Sequence, residues 1–205
     1  MLYRIRLLTL PVLLLVCTAL PLKAQIEGVF DAIGPLPAKH SVDVVVFEEY
    51  LNFTCPHCNN FRLAFEPLKA RFGDRVQFQN IPILFRGQSD SILRLFYIAQ
   101  RAGDEEQMKE TIFDATFKYG VNINDPAIVS YLARSSGLGS AYEKDSDSEW
   151  VNQKVMDSRR RADEAGITAT PTVILQGAIR VSPKGGIDVF VANLGRIIGQ
   201  LLKEE

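Results

Sequence analysis

The stretch Phe53-Thr54-Cys55-Pro56-His57-Cys58-Asn59-Asn60-Phe61 decides how the chain is read. It sets two cysteines one helical turn apart, where the hydrophobic pattern changes period. Upstream, Val44-Val45-Val46-Phe47 is the β-branched run of a strand buried on both faces. Downstream, Phe61, Phe65, Leu68 and Phe72 recur at i, i+4, i+7 and i+11, one stripe of a helix. Cys55 therefore stands at or just before the first helical turn. Backbone N–H groups lack partners there, and the macrodipole adds partial positive charge. A thiolate is stabilised in that position, so the Cys55 pKa is expected to fall below its free value of about 8.5. Pro56 suits the first turn, where a missing N–H costs little. His57 adds a donor, or a positive charge when protonated. Cys58, one turn along, is expected to be more buried and to act as the resolving thiol.

A Cys-x-x-Cys pair also occurs as half of a zinc site or as a structural disulfide. A zinc site needs two further ligands, and the only His and Cys outside the motif are His40 and Cys17. Cys17 lies in a segment expected to be removed, and His40 reads as a surface histidine. A redox-active dithiol is the favoured reading, with no metal and no cofactor.

The chain has 205 residues, 47% hydrophobic and 23% charged, enough for one good core or one domain carrying an insertion. Residues 1–24 read as an export signal. Arg4 and Arg6 form a basic start, Leu7 to Leu22 is almost wholly apolar, and Ala24 is a plausible end of cleavage. An uncleaved membrane anchor is the alternative, against which Pro11 and the short apolar run both count. Either way the working part is exported, into a compartment where disulfides form. The whole chain carries 23 basic and 24 acidic residues, and three of the basic ones fall in that first segment, so the remainder is mildly acidic. That balance does not point to nucleic acid. Arg159-Arg160-Arg161, flanked by Asp157, Asp163 and Glu164, reads as a solvated helix face.

Taken in order, residues 25–41 read as a loop or one short edge strand. In Val42 to Phe53 two acids, Glu48 and Glu49, interrupt the strand. They are either strand-end carboxylates facing water or, for Glu49, a buried acid that takes or supplies the proton as Cys58 reacts. Pro67 lies inside the following helix and is expected to kink it, and Gly73 stops it. Val76 to Phe85 is a second central strand that ends, or lies at an edge, near Pro82. Strand, helix and strand make a right-handed crossover if the strands are parallel.

From Ser89 to Gly166 the pattern is helical, with about four helices. Ile92, Leu95, Phe96 and Ala99 form one face. Asp104 with Gln107 resembles a capping box ahead of Met108, Ile112, Ala115 and Tyr119. Asp125-Pro126 opens a helix through Ile128, Tyr131 and Leu132. Ser146 with Glu149 resembles a further capping box. The Met and aromatic stripes are expected in the core. After Gly166 come a strand (Thr170 to Leu175), a tight Gln176-Gly177 turn, a hairpin partner (Ala178 to Val181) and a last helix, Ile187 to Leu202. In that helix Val189, Phe190, Leu194, Ile197, Ile198 and Leu201 are available for burial.

This order of strand, Cys-Pro-His-Cys helix, strand, helices, Thr-Pro strand, hairpin and helix resembles the DsbA family of exported thiol–disulfide oxidoreductases. The resemblance spans residues 42–202. It implies an α/β chain with a thioredoxin fold and an inserted α-helical domain. The parts would be 1–24 (signal), 25–88 (N-terminal part of the thioredoxin fold), 89–166 (inserted helical domain) and 167–205 (C-terminal part). Cys55-Pro56-His57-Cys58 matches the family's dithiol letter for letter. Thr170-Pro171 falls where the family places a cis-proline loop, whose backbone would pair with substrate. Glu49 matches the family's buried acid, but the Val76–Phe85 strand carries no lysine or arginine to pair with it. Thr170 stands where the best-known members carry valine. The implied activity introduces disulfides into unfolded or newly exported cysteine-containing proteins in the periplasm, and a quinone-linked membrane partner re-oxidises the dithiol. The alternatives are a reductase or isomerase on the same fold, and a non-catalytic binding or chaperone module.

Overall fold

A computed structural model describes residues 25–203; the segment read as a signal or anchor lies outside the described residues. The chain runs β1 (Asp31–Ala32), β2 (Val45–Leu51), α1 (Pro56–Phe72), a 3₁₀ turn (Gly73–Arg75), β3 (Val76–Pro82), α2 (Ser91–Ala102), α3 (Glu105–Phe117), α4 (Pro126–Ser135), α5 (Gly139–Asp145), α6 (Glu149–Glu164), β4 (Thr172–Leu175), β5 (Ile179–Val181) and α7 (Ile187–Leu201). The strands form one sheet of order β1-β5-β4-β2-β3. β2 and β3 are parallel, with α1 as their crossover, and β4 runs antiparallel to both β2 and β5. β3 both ends at Pro82 and lies at an edge, where a missing ladder donor is tolerated. The α/β class expected from the sequence is the one observed.

Alternation along β2 sorts its side chains. Val45 and Phe47 face α1 and α7, where Phe61, Phe65, Phe190, Leu194 and Ile198 complete a core. Tyr50 points the other way, into a smaller cluster with Ile81, Ile174 and Ala162 of α6. The helices between β3 and β4 pack around Phe96, Ile112, Phe113 and Val129. Leu51, Phe53 and Cys58 belong to that helical cluster rather than to the sheet core. α1 runs unbroken as helix through Pro67.

Several local expectations are corrected. Five helices, not four, are described between β3 and β4. The extra one, α5, is seven residues long and has no side-chain cap, so it leaves little trace in sequence. Because α5 is present, Ser146 is taken up as its C-cap, and Ser148 becomes the N-cap of α6 without a capping bond from its side chain. Asp104 is the N-cap of α3, but its side chain makes no cap hydrogen bond. Asp125 does cap, accepting from the Ala127 N–H at 2.9 Å, with Pro126 in the first turn. Tyr119 lies past the end of α3 and is exposed. Tyr131 and Val189 sit one residue off the buried stripes of α4 and α7 and are exposed as well. Arg159 and Arg160 are exposed, whereas Arg161 is only partly so: it pairs with Glu48 and reaches Gln79.

Candidate active site

β2 delivers the chain to the N-terminus of α1 with Cys55 as N-cap, in extended backbone geometry, and Pro56 in the first turn. The Cys55 carbonyl accepts from the N–H groups of Cys58 (3.1 Å) and Asn59 (3.2 Å), which closes the turn over the dithiol. Cys55 is half-buried, Cys58 has no exposed surface, and both are free thiols. The Cys55 pKa is lowered to about 5. The largest cause is the hydrogen bond from Cys58; the backbone N–H groups of Cys58 and His57 add to it, and burial opposes it. Burial drives the Cys58 thiol far upward, and its hydrogen bond to Cys55 does the same. One sulfur is thus poised as a thiolate and the other is held as a thiol, as the helix-start position predicts. His57 is exposed and contributes through its backbone N–H.

The turn before β4 faces this pair. The Thr170–Pro171 peptide is cis, and the Thr170 carbonyl oxygen lies 3.3 Å from Cys55 Sγ, where it accepts from the thiol. Pro171 is buried against the same corner. The Thr170 hydroxyl oxygen is buried and has no hydrogen-bond partner. The structure therefore brings together Cys55, Pro56, Cys58, Thr170 and Pro171, with His57 at the rim.

Glu49 lies deeper. It is 5% exposed and bonds neither sulfur. One oxygen accepts from Lys109 Nζ at 2.7 Å, and the other has no partner. That carboxylate lines a cavity of about 20 Å³ with Phe61 and Arg62, the residues three and four on from Cys58. The volume fits a single water. The position beside Glu49 on β3 is Asn80, whose Oδ1 also accepts from Lys109, at 2.6 Å. The missing strand cation is thus supplied by a helix, α3.

Lys109 escaped the sequence reading, although a signal was present. It precedes Ile112 and Phe113 by three and four residues, so it shares their buried face. Asn52 and Gln88 also escaped it. Asn52 is buried, and its backbone N–H donates to Cys58 Sγ at 3.5 Å. A polar amide wedged between Leu51 and Phe53 was the available clue. Among the described residues, no group of three or more His, Cys, Asp or Glu is placed to hold a metal ion.

Residues 46–195 match the family described as DSBA-like thioredoxin domain. The chain belongs to that family. This DSBA-like chain is 25% identical over 151 residues to the thiol:disulfide interchange protein DsbA of Burkholderia cepacia, covering 73% of itself and 71% of that protein. It is 25% identical over 162 residues to the protein of the same name from Haemophilus influenzae, covering 76% and 78%. Among solved structures it is similar to the oxidoreductase DsbA of Xylella fastidiosa, with a TM-score of 0.68, 20% identity and coverage of 76% and 85%. Pseudomonas aeruginosa DsbA gives 0.68, 20%, 84% and 90%. At those identities the structural likeness speaks for the DSBA-like fold.

Proposed function

We propose that this DsbA-like oxidoreductase is exported and introduces disulfides into newly exported cysteine-containing proteins through Cys55 and Cys58. The observation that carries the reading is the asymmetry of the pair, with Cys55 lowered to about 5 and Cys58 buried and pushed upward. A substrate thiolate attacks Cys55 Sγ of the Cys55–Cys58 disulfide. The bond between the two enzyme sulfurs breaks, and its electron pair passes to Cys58. A second substrate thiolate then attacks the substrate sulfur of the mixed disulfide and releases Cys55 as a thiolate. The substrate leaves oxidised and the enzyme reduced. A stable Cys55 thiolate favours that direction. Thr170, with its carbonyl beside Cys55, offers an extended substrate a backbone partner. Glu49 with Lys109 serves as the proton reservoir for Cys58. The site of action is the periplasm, and a quinone-linked membrane partner restores the disulfide. Among the described residues, no helix is long and apolar enough to cross a membrane.

The test is the reduction potential of the 55–58 pair, measured by equilibrating the purified protein with glutathione buffers. A value near about −120 mV, the figure for DsbA itself, is expected of a disulfide donor. A value near about −270 mV, that of thioredoxin, would overturn the oxidase and leave a reductase or isomerase on the same fold.

A further inference from the structure

The buried sulfur has a backbone donor aimed at it from the end of β2. The Asn52 backbone N–H lies 3.5 Å from Cys58 Sγ. The amide is held by a ring of side chains from two segments, the link from β2 to α1 and the link from β3 to α2. Asn52 Oδ1 accepts from the Thr54 N–H at 2.9 Å and from the Thr54 hydroxyl at 2.7 Å. Asn52 Nδ2 donates to the Ile83 carbonyl at 2.8 Å and to Gln88 Oε1 at 2.7 Å. Gln88 Nε2 donates to the Thr54 hydroxyl at 2.6 Å, which closes the ring, and Gln88 Oε1 also accepts from the Phe85 N–H at 2.7 Å. The Asn52 carbonyl accepts from the Cys55 N–H at 3.0 Å. Both polar atoms of the Asn52 side chain and both of its backbone groups are therefore engaged, in a residue only 2% exposed.

We infer that this ring is a positioning device for thiol exchange: Gln88 and Thr54 hold the Asn52 N–H as a fixed donor to Cys58 when that sulfur is the leaving group. The inference rests on the exchange reaction proposed above. In that step the substrate thiolate forms a bond to Cys55 Sγ, the Cys55–Cys58 bond breaks, and the electron pair arrives on Cys58 Sγ, which afterwards takes a proton from the Glu49–Lys109 pair. The substrate sulfur is oxidised and Cys58 reduced. During the step Cys55 is bonded to substrate and is no longer the thiolate that accepts from Cys58. The hydrogen bond that links the two cysteines in the free dithiol is then lost, and the Asn52 N–H remains. A donor already in place at a buried, water-poor site costs no reorganisation when charge develops there. Gln88 lies on the link from β3 to α2, so the entry to the helices takes a share in setting the dithiol.

The test uses the full-length oxidised protein and a small thiol probe, reduced glutathione. The rate of mixed-disulfide formation is measured by stopped flow across pH. Two variants cut the ring: Gln88→Leu, which keeps the bulk, and Thr54→Val, which replaces the hydroxyl with a methyl group. Each is expected to slow the attack by about fivefold to tenfold. The Cys55 pKa, followed by thiolate absorbance of the reduced protein, and the reduction potential should stay put, because the donor acts on the leaving sulfur in the transition state. Thr54→Ser, which restores the hydroxyl, should recover most of the rate. If Gln88→Leu fails to fold, Thr54→Val and Thr54→Ser decide the matter. Wild-type rates in the variants would overturn the inference, as would a rate loss matched by a shift in the Cys55 pKa or the potential. A wild-type protein that does not exchange with the probe would instead sink the exchange reaction itself.

Discussion

At the scale of the residue, the lowered Cys55 pKa carries a sign. The thiol titrates near 5 in the folded, reduced protein and near about 8.5 in an unfolded chain. A depressed folded value contributes stability that is full above the unfolded pKa and is lost as pH falls through the folded one. The oxidised protein has no thiol there and lacks this dependence. The melting temperature of the reduced protein, relative to the oxidised, should therefore climb from about pH 5 to about pH 8.5 and stay level below that window. Cys58 does not disturb the slope: its folded pKa is raised, so it costs stability only above about pH 8.5. Calorimetry on both redox forms at pH 4, 6 and 8 checks this, and a constant difference would mean that the Cys55 thiolate is not stabilised. The Cys55 asymmetry was readable in sequence because its largest cause, the hydrogen bond from Cys58, follows from two cysteines one turn apart at the start of a helix, a local property. The hydrogen bond from Asn52 to Cys58 was not, because it depends on Gln88 and Ile83, which tertiary structure alone brings near.

Among the elements, α3 ties the helices to the sheet because it reaches across to α1 and β2. Lys109 meets Glu49, Arg62 of α1 pairs with Glu110 and Asp114, and Lys69 of α1 pairs with Glu106 at 2.9 Å. Most of these ion pairs are partly exposed and worth little singly. The Lys109–Glu49 pair is buried on both sides. Lys109→Met leaves the Glu49 carboxylate without its cation in a buried site and should cost about 3–5 kcal/mol in urea unfolding. Adding Glu49→Gln should return a large part of that loss, since a neutral amide needs no cation. A single-variant cost well under about 1 kcal/mol would mean that the pair is solvated. The elements themselves were largely legible: the Asp125-Pro126 start, the Gln176-Gly177 turn with both residues at positive φ, and the stripe of α1 all follow from local chemistry. What failed were the capping boxes and α5. Side-chain caps compete with other partners, as when Ser148 Oγ donates to the Asp145 carbonyl.

Across the whole molecule, the sheet core and the helical core meet at the corner between β2 and α1. Phe53 packs on Phe96 at 5.6 Å and on Phe113 at 5.2 Å between ring centroids. Phe113 is fully buried and lies under the Arg62 guanidinium, 5.5 Å from its ring centroid. Phe113→Ala should cost about 3–5 kcal/mol. Because Leu51 of β2, Cys58 of α1 and Phe53 between them pack into the helical core, unfolding should remain one transition by far- and near-ultraviolet circular dichroism alike. Two separated transitions would show that the helices unfold on their own. The α/β order of the chain was visible as changes of hydrophobic period, whereas the shared corner was not, since no pattern in one segment says which core its side chains will enter. The complete burial of Cys58 beside a half-exposed Cys55 also has an analytical use. Of the two cysteines among the described residues, an alkylating reagent added to the folded, reduced protein reaches only Cys55, so mass spectrometry of the peptide that spans both should find one adduct at short times. The second adduct can form only when the corner opens, and its rate of appearance turns Cys58 into a clock for that opening.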